Sequence, residues 1–208
     1  YGKMKEVDAN NVQTGTFNAS EIAVEGIFSY ELARNLVGGI TAKFITSYIG
    51  SYNSMAVGVD LGLNWYEPER QWSVSLVAKN LGGQIKAYEE DYGKMPIDVQ
   101  VGVSKTFAAL PVRVSATLVD LTHYDYRFIN HLNLGAEVLL SESIWVGGGY
   151  NFRKADEMTI GKADNASAHG AGFSVGAGIN LEQFKLNLAY GKYHAASNSI
   201  LVNLAYSF

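Results

Sequence analysis

Between residues 54 and 66 every second side chain is apolar: Met55, Val57, Val59, Leu61, Leu63 and Trp65, with Ala56, Gly58, Asp60, Gly62 and Asn64 between them. Successive side chains of an extended strand point to opposite sides, so this spacing predicts a strand with one greasy and one polar face. The same period returns at 21–32, 36–48, 72–79, 97–107, 112–118, 132–140, 144–153, 173–181, 184–190 and 199–208, with the tail of a further strand at 1–5. That predicts about twelve strands of roughly ten residues, the length that crosses a bilayer when tilted. The connections predict a second regularity: longer loops and tight turns alternate, as short periplasmic turns and longer outside loops do in a transmembrane barrel. A soluble β-sandwich fits any one of these strands. It has no reason to sort its loops by parity, and its strands usually run nearer five or six residues. The expected fold is therefore all-β, a transmembrane antiparallel up-and-down β-barrel in the bacterial outer membrane, multi-pass, occupying 1–208 as one domain.

Composition agrees. Charged residues are 17% of the 208, against about a quarter in a soluble domain, and mean hydropathy is +0.00 although 48% of residues are hydrophobic. No apolar run reaches the 18 or so residues of a spanning helix. A net charge of −4 argues against nucleic acid, whose partners are basic. There is no cysteine. Tyr1 reads as lying inside a strand, so the expectation is a fragment lacking N-terminal strands and a plug segment.

The apolar face is nearly free of charge, as a midplane cost of about 2–4 kcal/mol per charge requires. Lys105 is the main exception, placed near a tight turn where it can snorkel. Aromatics gather toward strand ends: Tyr30, Tyr48, Trp65, Trp72, Phe107, Phe152, Tyr206 and Phe208. Interfacial girdles account for that, and so does the general preference of aromatics for strands. The polar face carries Glu25, Glu31, Asp60, Asp98 and Glu137 against Lys43, Lys79, Arg113, Arg153 and Lys185. Equal numbers of each sign suit a lumen pinned by ion pairs better than a charge-selective pore. Glycines on that face either leave room for a plug or relieve strand curvature.

No chemistry-bearing constellation emerges. His123, His131, His169 and His194 fall in or beside loops without metal-ligand spacing, and no Ser/His/Asp grouping is proposed. Gly147-Gly148-Gly149 lies in a strand with no helix after it, so it is no phosphate loop. The chain reads as non-enzymatic and without cofactor or metal, an embedded lipid-modifying enzyme being the remote alternative.

Several stretches together resemble a known family: A-K-F-I-T-S-Y-I-G-S-Y-N-S-M-A-V-G-V-D-L-G-L-N-W-Y at 42–66, S-L-V-A-K-N-L-G-G-Q-I-K-A-Y at 75–88, P-I-D-V-Q-V-G-V-S-K at 96–105, H-L-N-L-G-A-E-V-L-L-S at 131–141, G-A-G-F-S-V-G-A-G-I-N at 170–180 and L-A-Y-G-K-Y-H at 188–194. They are similar to the PorV/PorQ family of Bacteroidetes outer-membrane proteins, relatives of the FadL fatty-acid transporters, and look closer to PorQ. The resemblance implies a FadL-like barrel with fourteen strands in the full protein and a role in the type IX secretion system. There PorQ-like proteins hold the surface protein PorZ in an attachment complex with PorU and PorV. The loop at 122–130 is shorter than that family's pattern, which leaves loop contacts open.

The function expected is anchoring of such a partner at the cell surface. The candidate contacts are the loop tyrosines Tyr52, Tyr88, Tyr92, Tyr124 and Tyr126, since tyrosine is favoured at interface hot spots. Outer-membrane lipid and lipopolysaccharide are the expected surroundings. Transport of hydrophobic small molecules is the alternative; the inward apolar residues Ile45, Val77, Leu139, Trp145 and Leu201 are too scattered to establish a pocket. A diffusion porin is the weakest option.

Overall fold

The computed structural model describes residues 3–107, 109–159, 170–194 and 197–207, except for the side chains of 193 and 194. Phe208, His169 and Tyr1, all singled out above, lie outside the described residues. Two short strands, β1 (Met4–Val7) and β2 (Gln13–Phe17), form a sheet of their own. Eleven strands form the other: β3 (Ala19–Ala33), β4 (Leu36–Ile49), β5 (Tyr52–Glu67), β6 (Trp72–Lys86), β7 (Asp98–Phe107), β8 (Val112–Leu118), β9 (Leu132–Leu139), β10 (Ile144–Asn151), β11 (Phe173–Asn180), β12 (Phe184–His194) and β13 (Ser197–Tyr206). Each lies beside its neighbours in sequence, the order of an up-and-down meander. No helix among the described residues is long and apolar enough to cross a membrane.

The chain divides into two compact units, Tyr1–Leu63 with Val77–Asp98, and Asn64–Leu76 with Val99–Phe208. In the first, β3 and β4 run antiparallel from Ala19 opposite Ile49 to Ala33 opposite Leu36. Asn35 closes that hairpin at φ +65°, a left-handed state asparagine tolerates. In the second, β7 to β13 continue strand by strand as antiparallel ladders.

Alternation puts apolar side chains on one face of each strand, and among the described residues that face stays largely exposed. Among the described residues the buried hydrophobic ones are Ala87, Ala155 and Ala171, and no large side chain is fully buried. In the first unit Val57 and Leu63 are 40% and 43% exposed; in the second Leu76 and Val103 are 47% and 37% exposed. Two packed sheets would have buried such residues between them. Here the greasy side chains stay exposed.

Four expectations are corrected. The stretch after the tail at 1–5, rich in Asp, Asn, Gln, Thr and Gly, reads as a polar loop, but residues 13–17 form a strand; Q-T-G-T-F has little apolar content and pairs with β1 from Met4 opposite Phe17 to Val7 opposite Gln13. Of the tail expected at 1–5, Met4 and Lys5 belong to that hairpin and not to the large sheet. Residues 152–153 do not extend β10: Asn151 ends it and caps α1 (Phe152–Glu157), its Oδ1 accepting from the Lys154 amide at 2.9 Å. Finally, the connections do not alternate strictly. β4 ends at Ile49 and β5 begins at Tyr52, while β12 reaches His194 and β13 starts at Ser197, so ladder pairing consumes two of the expected loops. The long connections are 87–97, 119–131 and 152–172.

Candidate functional site

The long connection after β8 is where side-chain chemistry gathers. Asp120 turns the chain out of the strand at φ +61°, which Asp can adopt because its short side chain bonds locally. Its Oδ1 lies 2.8 Å from His123 Nδ1, and its Oδ2 accepts from Arg153 on α1. Arg153 also stands 3.4 Å from Glu157 and lies 5.2 Å from the ring centre of Tyr126. That ring stacks on His123 at 5.5 Å and leans on His131 at 6.0 Å. A 3₁₀ turn, Phe128–His131, carries the loop back into β9. Its buried Asn130 donates to Asp156 at 2.9 Å, and buried His131 meets the Val119 carbonyl at 2.8 Å. The loop and α1 are thus bound to each other by charge, amide and ring contacts.

The electrostatics run one way. Burial opposes ionisation of Asp120, but hydrogen bonds from Arg153 and His123 outweigh it and hold the carboxyl below the usual carboxylate range. Burial likewise opposes the charge on Arg153, and its bond to Asp120 overcomes that and raises it further. What this bracing presents is apolar: Tyr124 is 93% exposed and Phe128 71%. These charged groups are spent on one another. The arrangement suits holding a surface, and no group of His, Asp and Glu among the described residues could hold a metal ion.

The first unit has its own polar node. Lys43 of β4 and Asp60 of β5 meet at 2.6 Å with side chains 9% and 15% exposed. Asn80, at φ +59° in β6, gives its amide N–H to Asp60 at 2.8 Å and accepts from Lys43 at 3.1 Å. Its Nδ2 donates to the Pro96 carbonyl at 2.8 Å. This ties the end of the 87–97 loop to the strands, and Met95 lies over Gly58 with its methyl carbon 3.0 Å from where a Cβ would stand.

The remaining candidates fall as follows. Glu25 faces Lys43 across the β3–β4 ladder and is exposed; the Lys43 ammonium goes to Asp60 instead. Lys79 precedes Asn80, and Asp98 opens β7. Arg113 and Glu137 are ladder partners and bond, Nε to Oε2 at 2.8 Å. Lys185 is exposed on β12 opposite Asn180 and Ala205. Tyr52 and Tyr92 are exposed; Tyr88 is half-buried, its hydroxyl on Ser47. Tyr126 is half-buried against Arg153, so two residues expected in separate roles are brought into contact. Tyr48, Trp65, Trp72, Phe107 and Tyr206 are all partly exposed near strand ends, Tyr206 packing on Phe184 at 4.8 Å. Asp120, Asn130 and Asp156 are structurally central and were not expected. An Asp three residues before a His is too common a pattern to single out.

No curated protein sequence matches the chain. A family model does, over residues 12–204, which take in every strand from β2 to β12 and most of β13. With that coverage, the chain belongs to the type IX secretion system membrane protein family PorP/SprF.

Proposed function

We propose that the chain is a non-enzymatic outer-membrane β-barrel of the type IX secretion system that anchors a surface partner through its long loops. The observation that carries this is the uncovered apolar face: strand after strand exposes its greasy side, and hydrocarbon is the covering that makes such a face stable. Family membership supplies the secretion system. The braced loop at 119–131, with Tyr124 and Phe128 outward, supplies a rigid contact surface of the kind that concentrates binding energy. The resemblance to PorV/PorQ sequences supports the finer reading, a FadL-like barrel of fourteen strands whose partner is an attachment-complex protein such as PorZ, alongside PorU and PorV. In this orientation the short connections after β3, β5, β7, β9 and β11 lie on the periplasmic side, and Tyr52 at the start of β5 lies on the outer side with the loop tyrosines Tyr88, Tyr92, Tyr124 and Tyr126. The aromatics Tyr48, Trp65, Trp72, Phe107 and Tyr206 then meet the membrane interfaces, and the pairs Lys43–Asp60 and Arg113–Glu137 pin the lumen.

Affinity purification from native membranes in mild detergent tests it. A large surface protein is expected to co-purify, and Tyr124→Ser with Phe128→Ser to release it; recovery of the barrel alone from the unaltered strain refutes anchoring. A second reading, uptake of hydrophobic small molecules, has in its favour an open trough of about 260 Å³ on the polar face, walled by Trp145 and Leu201 over a floor rich in glycine. Failure to carry labelled fatty acid into proteoliposomes removes it.

A further inference from the structure

On the apolar face of β7 the series Val101, Val103, Phe107 is broken by Lys105. A cation facing lipid costs about 2–4 kcal/mol at the midplane and about 0–1 near the interface. The chain meets this by drawing the ammonium to the strand end. Lys105 Nζ donates to the Arg70 carbonyl in the turn before β6 and lies 5.2 Å from the centre of the Trp72 ring. Beside it runs an open groove of about 490 Å³. Register explains the groove. Ala116 sits opposite Val103 on one side and Leu134 on the other, so a side chain that stops at Cβ lies between two larger ones. Phe107, Val114 and Trp72 complete the walls around a floor that includes the backbone at Ser115 and Gly135.

The feature is therefore a hydrocarbon trough with a single positive charge at its end, on the face that the proposed function immerses in lipid. We infer that it binds one anionic glycerophospholipid of the periplasmic leaflet, an acyl chain in the trough and the phosphate at Lys105. An ammonium has three donors, and the Arg70 carbonyl takes one. The phosphate supplies the complementary acceptor, and the neighbouring indole is the usual interfacial companion of a headgroup. A zwitterionic lipid would bring its own ammonium against Lys105 and lose that advantage. The leaflet follows from the turn: Arg70 and Trp72 lie at the short-connection end, which the barrel reading places in the periplasm. The inference rests on that reading.

Native mass spectrometry on the detergent-folded protein, titrated separately with phosphatidylglycerol, phosphatidylethanolamine and lipid A, tests it. Phosphatidylglycerol is expected to bind about fivefold tighter than phosphatidylethanolamine, the selectivity one lysine near an anionic headgroup confers. Lys105→Met, which keeps the stem, abolishes the preference; Ala116→Leu, which fills the trough, weakens both phospholipids. Equal binding of the two phospholipids, or a preference untouched by Lys105→Met, overturns the site. Tighter binding of lipid A than of phosphatidylglycerol overturns the phospholipid assignment. A protein that shows no heat-modifiable folded band in detergent loses the barrel reading and this site with it, whereas a folded protein without headgroup preference loses only the site.

Discussion

Asn80 in the first unit and Asp120 in the second occupy the same backbone state, φ +59° and +61°, and each makes its side chain the hub of a network. The hubs differ in chemistry. Asn80 is neutral and both gives and takes: it donates to Pro96 and accepts from Lys43 while its amide N–H rests on Asp60. Asp120 can only accept, so it draws its donors from outside the strand, His123 three residues on and Arg153 on α1. An amide hub can be completed by neighbouring strands. A carboxylate hub only accepts, and taking one of its donors from Arg153 on α1 ties together pieces distant in sequence. The first holds its loop through backbone carbonyls; the second holds its loop through charge.

Removing the anion beneath the amide hub gives the largest expected effect. Asp60→Ala leaves Lys43, 9% exposed, without its 2.6 Å partner and strips the acceptor from the Asn80 amide. Breaking one side of a buried pair costs about 3–5 kcal/mol, because the other charge stays buried. Denaturant unfolding of the micelle-folded protein measures it; a loss below about 1 kcal/mol would show the pair to be solvent-screened like a surface one.

Next comes the amide itself. Asn80→Ala deletes two hydrogen bonds worth about 1 kcal/mol each and places a residue without local bonding in the left-handed region at about 1 kcal/mol more. Asn80→Gly isolates the hydrogen-bond part, since glycine adopts that conformation freely. The expected order of stability is native, then Gly, then Ala; Gly and Ala unfolding together would assign the whole effect to the side chain.

The two hubs also differ in how far they could be read in advance. Alternation located all eleven strands of the large sheet, because each strand's environment changes at every residue and Met55 to Trp65 must record it. The Arg113–Glu137 contact joins ladder partners, so a correct register alone brings it within reach. The Lys43–Asp60 pair needed more. Glu25 is the residue opposite Lys43 in the β3–β4 ladder, yet the Lys43 ammonium goes to Asp60 and to Asn80, which itself bonds Asp60 through its amide N–H. The loop cluster was not legible at all. Tyr150 and Phe152 continue the period of two, so Arg153 read as a strand residue, and α1 is too short to show a helical period. Once Arg153 sits on α1 its partner is Asp120, a pairing that no local pattern announces.

A smaller effect separates the hubs by pH. Asp120 is held below its ordinary carboxylate range, about 3.9, so its contribution is complete above that value and drains as pH falls through the lower, folded one. Hydrogen-exchange protection of 119–131 is expected to stay level from about pH 8 to 5 and to fall below about pH 4. Asp120→Asn, which cannot ionise, should start lower by about 1–2 kcal/mol and lose the acid step. Protection that falls equally with pH in the variant would place the titrating group elsewhere.

The smallest effect concerns the ring that packs on the donors of the carboxylate hub. Tyr126 lies between Arg153 at 5.2 Å and His123 at 5.5 Å, with the exposed Tyr124 two residues earlier in the same loop. Leucine at 126 keeps apolar bulk but has no π face, so Tyr126→Leu should cost about 0.5–1 kcal/mol of loop stability, the value of a partly exposed cation–π contact. The matching change in the first unit, Tyr88→Phe, removes only a hydroxyl bond to Ser47 beside a loop already fixed by the Asn80–Pro96 bond. If the charge-held loop is the one whose rigidity matters for docking, Tyr126→Leu lowers the yield of co-purified partner and Tyr88→Phe leaves it unchanged. Salt sharpens the test, because at about 1 M screening shrinks to about 3 Å and weakens the Arg153 contacts while sparing neutral amide bonds. Equal losses from both variants, at low and high salt alike, would mean that the two hubs do the same job despite their chemistry.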